Sequence, residues 1–217
     1  MKKTAIIIVL LLTGRMVSAQ AYLITRKVKE PTRGSRYFFA GFVRGALINS
    51  KGLLIKNPGY TYNYDKMSGV LLLKSANQPI MLASKADIQS FTLYNRERNA
   101  FVFEKVPAID TGRYAQVLAL GLKYKVYKLI RTQFTRSNYR NDGVITEGNK
   151  YDEYVDEGKY YVLNVTTNSL QPIKLKLSSL KSAFPADEDK LNQFISLHPL
   201  DTIGDVYLGS LGEFMNN

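Results

Sequence analysis

The sequence predicts a mainly β fold of the α+β class: an antiparallel sandwich or barrel-like sheet, followed by two to three helices after residue 177. From residue 37 onward, alternating or apolar runs of about five residues are separated by turn signals roughly every 8–12 residues, which is typical of antiparallel architectures. No strand–helix–strand rhythm occurs in the sequence. After residue 177 the apolar spacing changes to three and four residues, which indicates helices.

Residues 1–19 have the layout of a secretory signal peptide. Lys2 and Lys3 give a positive start, residues 5–12 are apolar, and residues 17–19 form a small-residue cleavage site. The apolar run is too short for a membrane anchor, because it covers about 12 Å of a ~30 Å hydrocarbon core. The sequence therefore predicts an exported protein, periplasmic or secreted, with no transmembrane span in the mature chain. It contains no cysteine, so no disulfide can form.

The mature chain is expected to divide at residue 36. Residues 20–36 are basic, contain Pro31 and Gly34, and lack sustained periodicity, so we expect a flexible basic leader. Residues 37–217 are expected to form a single β-rich domain with C-terminal helices at about 178–217. A hydrophobic content of 45% supports a packed core in this domain.

Turn-forming glycine, proline and asparagine residues bound most of the predicted strands. The runs 114–120 and 122–130 are predicted to pair as a hairpin that turns at Gly121. The full set of predicted strands is 38–47, 53–56, 60–64, 70–74, 80–83, 88–94, 100–103, 114–120, 122–130, 159–165 and 173–177.

A basic face is predicted on two of these strands. In the run 122–130, Tyr124 and Val126 face one side and the alternate residues face the other. In the run 173–177, isoleucine and leucine alternate with lysine, which is typical of a solvated or edge strand. The candidate binding residues are those on the outward sides: Lys123, Lys125, Tyr127, Lys174 and Lys176.

Residues 135–150 are polar and are expected to form a long exposed loop, followed by an acidic turn. The acids of this turn could hold a hard cation such as Ca²⁺, with Asp142 as a further ligand. The spacing does not match a calcium-binding loop, and Lys150 and Lys159 flank the acids, so a solvated turn is favoured over a metal site. The four candidate ligands are Asp152, Glu153, Asp156 and Glu157.

Three helices are predicted near the C-terminus. Leu177, Leu180 and Phe184 fit one apolar stripe. Asp187 is expected to cap a second helix and Asp201 a third. The acids of this region fall mainly in predicted first turns, where the helix dipole favours them.

Several classes of enzyme have no support in the composition. The chain has one histidine and no cysteine, which excludes thiol catalysis and multi-histidine metal sites and leaves a catalytic triad without partners. No glycine-rich nucleotide-binding motif occurs, so no cofactor is expected. A glycan-directed hydrolase that uses acids around 152–157 stays open as an alternative. The sequence favours a non-catalytic protein.

Several short motifs resemble those of uncharacterised secreted proteins common in Bacteroidota-type bacteria. In that family, short strands precede a lysine-rich segment and C-terminal helices, so the resemblance implies the same order here over residues 37–217. It implies no activity and no site residue. The motifs are YNYD (62–65), SFTL (90–93), VPAID (106–110), KYKVYK (123–128), YVDEGKYYV (154–162) and LKSAF (180–184).

The charge is unevenly distributed along the chain. Residues 37–183 carry 21 basic and 11 acidic residues, whereas residues 184–217 carry one basic and six acidic residues. A basic body favours an anionic partner, and for an exported protein nucleic acid is disfavoured. We therefore expect a protein that binds an anionic envelope component, or another envelope protein, through a basic, tyrosine-rich β face. A structural subunit of an envelope assembly is a further alternative.

Overall fold

The computed structural model of the protein describes residues 30–141 and 143–217. The predicted signal peptide, residues 20–29 of the predicted leader, and Asp142 lie outside the described residues. Residues 30–33, at the end of the predicted leader, form a strand. From Pro31 to Asn217 the chain forms one compact unit.

The described residues form fourteen strands and three α-helices, which confirms the mainly β, α+β class with C-terminal helices. A single 3-10 turn, Pro185–Asp187, joins the first two helices. The strands are β1 (Glu30–Arg33), β2 (Arg44–Asn49), β3 (Leu54–Ile55), β4 (Tyr60–Asp65), β5 (Val70–Ser75), β6 (Met81–Leu82), β7 (Ile88–Tyr94), β8 (Ala100–Lys105), β9 (Tyr114–Ala119), β10 (Tyr124–Thr135), β11 (Arg140–Asn141), β12 (Thr146–Glu147), β13 (Tyr151–Asn164) and β14 (Ser169–Ile173). The helices are α1 (Leu177–Ala183), α2 (Glu188–Leu197) and α3 (Asp205–Asn216).

Nine strands form one large sheet in the order β1-β13-β10-β9-β8-β7-β2-β3, with β14 also paired to β13. The pairs from β2 onward are antiparallel, as the turn spacing predicts. A second sheet contains β4, β5 and β6, and β11 and β12 form a small hairpin. Isolated bridges at Tyr37 and Val43 connect the segment before β2 to β4, so this segment joins the two sheets.

The predicted hairpin around Gly121 is present, with β9 and β10 as its arms. Asn216, near the end of α3, fills the turn: its Oδ1 accepts hydrogen bonds from the backbone N–H groups of Lys123 and Tyr124 at 3.0 and 2.9 Å. A side chain at Gly121 would collide with the Asn216 amide. The glycine is therefore needed for this close approach, and the C-terminal helix fixes the start of β10.

Strands β10 and β13 are the longest in the described chain, and they pair over twelve positions from Tyr124↔Asn164 to Thr135↔Glu153. The predicted acidic turn is therefore wrong, because residues 152–157 lie inside β13. Residues 152–157 show no alternation of apolar and polar side chains, because this half of β13 is polar on both faces, and the sequence therefore gives no strand signal here. The predicted loop at 135–150 is interrupted by the hairpin β11–β12.

Two further predictions about elements were wrong. The alternation in 173–177 is not a strand: β14 ends at Ile173, where its register with Tyr160 of β13 ends, and α1 begins at Leu177. The chain must leave the sheet here to place Leu180 in the core. Of the predicted helix caps, Asp187 occupies the N-cap position of α2 but makes no side-chain cap hydrogen bond. Asp201 is not the cap of α3, whose N-cap residue is Gly204.

An aromatic core lies between the small sheet and the strands β2, β7, β8 and β9. The rings of Phe91 and Phe103 stack with centroids 4.9 Å apart, and Tyr64 is tilted against both. The Tyr64 hydroxyl donates to the carbonyl oxygen of Tyr114 at 3.3 Å. Burial raises the pKa of Tyr64 and of Tyr114 to about 12.

A second core lies where the three helices pack on β9, β10, β13 and β14. Here Tyr124 meets Phe184 edge to face, with ring centroids 4.9 Å apart. Gly212 of α3 contacts the sheet so closely that a Cβ atom there would collide with the side chains of Ala119 and Val126. The buried members of this core are Ala119, Tyr124, Val126, Val162, Ile173, Leu180, Ala183, Phe184, Leu191, Phe194, Tyr207, Leu208, Leu211 and Met215.

The close approach of α3 to the sheet can be tested with two alanine variants. Both Gly212→Ala and Gly209→Ala gain about 1 kcal/mol of helix propensity. Gly212→Ala overpacks the core strongly, whereas a Cβ at Gly209 makes only one tight contact, with the Leu118 carbonyl oxygen at 3.2 Å, which a small shift can relieve. We expect Gly212→Ala to be less stable than Gly209→Ala by about 1–3 kcal/mol in urea unfolding. Equal stabilities would contradict the described packing.

The buried tyrosines predict a loss of stability at high pH. An unfolded tyrosine ionises near pH ~10, whereas Tyr64 and Tyr114 keep their protons to about 12. The unfolded chain therefore releases protons first, and the free energy of unfolding should fall as pH rises from about 10 to 12. Urea unfolding between pH 8 and 12 measures the slope. Tyr64→Phe should reduce it by up to about 1.4 kcal/mol per pH unit, and an unchanged slope would exclude Tyr64 as a source.

Candidate functional site

The lysine-rich motif at residues 123–128, where β10 begins, is used mainly for internal contacts. Lys123 donates to Asp187 Oδ1 at 2.6 Å, and the hydroxyl of Tyr124 donates to Asp187 Oδ2 at 2.5 Å. The hydrogen bond from Lys123, followed by that from Tyr124, holds the pKa of Asp187 below its usual value. Burial and the nearby Asp187 carboxylate raise the pKa of Tyr124. Asp187, predicted to cap a helix, therefore fastens the α1–α2 connection to β10.

A second carboxylate that binds both a lysine and a tyrosine of β10 lies on β8. The Tyr127 hydroxyl donates to Glu104 Oε2 at 2.7 Å, and Lys125 Nζ lies 3.4 Å from the same oxygen. Tyr127 is only 1% exposed, and burial together with Glu104 raises its pKa. Of the predicted binding residues, Tyr127 therefore offers no surface for a partner, and Lys125 shares its charge with a carboxylate.

A third group of this kind holds the start of α3. Asp205 accepts hydrogen bonds from Lys128 Nζ at 2.6 Å and from the Tyr160 hydroxyl at 2.8 Å. Burial, followed by the hydrogen bond to Asp205, raises the pKa of Tyr160. We call these three groups the Lys–carboxylate–Tyr triads. They connect the basic strand β10 to β8 and to two acidic positions of the helical region.

Lys174 and Lys176, the other predicted binding residues, are exposed in the connection between β14 and α1. No carboxylate of the described residues lies within ion-pair distance of either ammonium group. They line a shallow open groove of about 370 Å³, together with Pro172, Ile173, Ser178, Ser179 and Ser182. The five predicted residues thus do not share one face of the sheet, because the alternation assumed for 173–177 is absent.

The predicted acidic residues do not converge on one point. On β13, Asp152 and Asp156 share one face, and Glu153 and Glu157 share the other. Residues four apart on a strand are separated by about 13 Å, which exceeds the ~5–9.5 Å of glycosidase carboxylates. Nowhere in residues 30–141 and 143–217 do three or more acidic or histidine side chains gather closely enough to hold a metal ion.

Two of these acids have structural partners. Asp152 accepts a hydrogen bond from the backbone N–H of Ser137 at 2.9 Å. Asp156 accepts from Lys66 Nζ and from the hydroxyl of Thr132, each at 2.5 Å. These contacts connect the polar half of β13 to the start of the 136–150 segment, to β10 and to the turn after β4.

The single histidine lies in a second groove, of about 260 Å³, between α2 and α3. His198 Nδ1 is 2.9 Å from Asp201 Oδ2, and Ser210 lines the same groove. No hydrogen bond connects Ser210 to His198 in the part of the chain that the structure describes. The three groups therefore do not form a catalytic triad in this structure.

A basic site that sequence reasoning missed lies where three loops meet. We call Lys85, Lys105 and Arg113 the cationic loop cluster. Lys85 Nζ donates to the carbonyl oxygens of Gly112 at 2.6 Å and Ser68 at 3.2 Å. Lys105 Nζ donates to the backbone carbonyl of Lys85 itself at 2.5 Å.

Arg113 completes the cluster from the β8–β9 loop. Its Nη1 and Nη2 atoms donate to the carbonyl oxygens of Lys66 and Met67 at 2.7 and 2.6 Å. Its side chain also packs against Gly69, which closes the β4–β5 turn in the left-handed region with a φ of +68°. The cluster therefore joins the β4–β5 turn, the segment before β7 and the β8–β9 loop.

Two carboxylates near this cluster, Asp65 and Asp110, form ion pairs with cations outside it. Asp65 accepts hydrogen bonds from Arg36; burial raises its pKa, but the bonds from Arg36 and Ser68 outweigh this and leave the pKa lowered. Asp110 pairs with Arg131 at 2.8 Å. Burial raises the pKa of Asp110 as well, and hydrogen bonds from Gly112 and Arg131 outweigh it.

Asp156, the third nearby acid, pairs with Lys66. The three basic side chains of the cationic loop cluster are therefore bonded to carbonyl oxygens and not to carboxylates. A carbonyl oxygen accepts a hydrogen bond but does not cancel a charge. The positive charge of Arg113 also helps to lower the pKa of Asp110, so it is partly offset, whereas Lys85 and Lys105 form no ion pair among the described residues.

No local sequence signal marks this cluster. Its members lie 20 and 8 residues apart, on segments that meet only in the folded chain. The turn residues Asp110-Thr111-Gly112 indicated a loop, but nothing in the sequence showed which lysines would approach it.

A comparison with protein-family models, with curated proteins and with solved structures found no match to this chain. Among the described residues, no helix has the length and apolar content needed to cross a membrane. The candidate site therefore depends on the geometry described above.

The triad at Asp187 predicts a pH-dependent contribution to stability. Asp187→Asn removes the charge that binds Lys123 and Tyr124, and should lower the free energy of unfolding by about 1–3 kcal/mol at pH 7. Because the folded pKa of Asp187 is lowered, this contribution is present above the unfolded value of about 3.9 and disappears as pH falls through the folded pKa. Urea unfolding at pH 3–7 measures both effects.

The matched control for this variant is Asp189→Asn. Asp189 lies two residues further along, in the first turn of α2, is exposed, and has no ion-pair partner among the described residues. Its replacement should change stability by less than about 0.5 kcal/mol. An equal loss of unfolding free energy in both variants would show that stability depends on the acidic charge at the start of this helix in general, and not on the contacts of Asp187 with Lys123 and Tyr124.

Proposed function

We propose that this protein is an exported, non-catalytic protein that binds an anionic component of the bacterial envelope through the cationic loop cluster. The observation that carries the proposal is the set of three basic side chains, Lys85, Lys105 and Arg113, whose partners are carbonyl oxygens. Such a group attracts anions, because no carboxylate of the described residues forms an ion pair with any of the three side chains.

Two other features support this proposal. The body of the chain, residues 37–183, carries 21 basic and 11 acidic residues, so long-range attraction favours an anionic surface. The acidic residues considered for hydrolysis are spread along β13 and have structural partners of their own. A binding role thus agrees with the geometry better than hydrolysis does. Export is the expectation drawn from residues 1–19.

The proposal can be tested with a chain that begins at Gln20. We expect it to bind vesicles that contain anionic phospholipid and not vesicles of zwitterionic lipid alone. The variant Lys85→Gln/Lys105→Gln should bind the anionic vesicles more weakly by about 2 kcal/mol, or roughly 30-fold, since each basic residue at such a surface contributes about 1 kcal/mol. Vesicle co-sedimentation at fixed salt measures the change.

The control variant is Lys51→Gln/Lys56→Gln, which removes the same charge from exposed positions beside β3. It should retain most of the affinity if binding is local to the cluster. A similar loss in both variants would show non-specific attraction, and the absence of binding to anionic vesicles and to acidic envelope polysaccharide would reject the proposal.

A further inference from the structure

The cationic loop cluster has unused hydrogen-bond donors as well as unneutralised charge. An ammonium group has three N–H donors and a guanidinium has five. Lys85 uses two donors on carbonyl oxygens, Lys105 uses one, and Arg113 uses two. Among the described residues, the remaining donors of these three side chains have no other hydrogen-bond acceptor.

The positions of these groups are fixed by the fold. Lys105 stands opposite Tyr114 in the β8–β9 pair, so its strand adjoins the loop that carries Arg113. Lys85 bonds the carbonyl of Gly112, the residue just before Arg113. Each side chain is held at its end by a carbonyl oxygen, so less conformational entropy is lost when an anion binds than with free lysines.

The number of charges selects among anions. A carboxylate or a phosphodiester carries one negative charge, whereas a phosphomonoester carries close to two near pH 7 and has three terminal oxygens. Three cations with spare donors around one position match the dianion better, because charge-assisted hydrogen bonds to phosphate oxygens are stronger than neutral ones.

We propose that the cationic loop cluster recognises a phosphomonoester group, with Lys85, Lys105 and Arg113 binding its terminal oxygens. This inference rests on the proposed function, since it names the ligand class of the same site. The group could belong to a lipid headgroup or to a small soluble phosphate, and the chemistry of recognition is the same in both.

The first experiment uses small probes and the chain from Gln20 onward. Isothermal titration with methyl phosphate and with dimethyl phosphate compares a monoester with a diester, and we expect at least tenfold tighter binding of the monoester. Since the second ionisation of a phosphomonoester lies near pH ~6, its affinity should rise roughly tenfold between pH 5 and 7.5. The diester has no such ionisation and should show no rise.

The second experiment separates the two sources of the phosphate. Vesicles that contain phosphatidic acid present a monoester, and vesicles that contain phosphatidylglycerol at equal surface charge present a diester. Preference for the phosphatidic acid vesicles indicates a lipid headgroup. Binding of methyl phosphate without vesicle preference indicates a soluble phosphate, and both results support the inference.

Variants locate the site. Lys85→Gln/Lys105→Gln should abolish the preference for the monoester, whereas Lys85→Arg, which keeps charge and donors, should retain it. Lys51→Gln/Lys56→Gln serves as the charge-matched control. The unfolding midpoint of each variant checks folding, and Lys105→Gln alone, which removes a single hydrogen bond, is used if the double variant does not fold.

The possible outcomes are distinct. Equal affinity for monoester and diester, with binding still lost in the cluster variant, overturns this inference and leaves the proposed function in place. A monoester preference that survives in the cluster variant overturns the assignment to this site. Failure to bind any phosphate probe or anionic vesicle overturns this inference, and it overturns the proposed function as well only if acidic envelope polysaccharide also fails to bind.

Discussion

The fold depends on the pairing of basic strand residues with acidic residues that follow far along the chain. Lys123, just before β10, and Lys128 of β10 bind Asp187 and Asp205, which lie at the starts of the helical segments. A tyrosine hydroxyl completes each contact. Because the carboxylates are hydrogen-bonded twice and partly shielded from water, each contact contributes more than an exposed ion pair.

This pairing explains the uneven charge of the sequence. The acidic C-terminal segment packs on the basic strand, so part of the imbalance is cancelled within the molecule. It also explains why a lysine-rich motif with outward periodicity is a poor indicator of a binding face. The ammonium groups of Lys123 and Lys125 bind the carboxylates of Asp187 and Glu104, which lie on different elements, and the ring of Tyr127 is buried.

What remains for a partner is the charge that the fold does not cancel. In the cationic loop cluster, carbonyl oxygens satisfy the hydrogen bonds of Lys85, Lys105 and Arg113 without removing their charge. The neighbouring acids Asp65, Asp110 and Asp156 form ion pairs with other cations. A site of this kind is visible only when the partners of every basic and acidic group in the region are known.

The sequence by itself determined the α+β class, most strands, the hairpin at Gly121 and the three C-terminal helices, because periodicity and turn residues act within a few positions. It did not determine the polar half of β13, whose strand conformation is imposed by twelve positions of pairing with β10. The end of β14 and the role of Asp187 also depended on distant partners. Lys128 and Asp205 are 77 residues apart, and Lys105 meets the backbone of Lys85 across 20 residues. Tertiary structure alone decided which charges are neutralised. Ion pairs form between groups that are close in space, and the local sequence around such groups does not show which of them will meet.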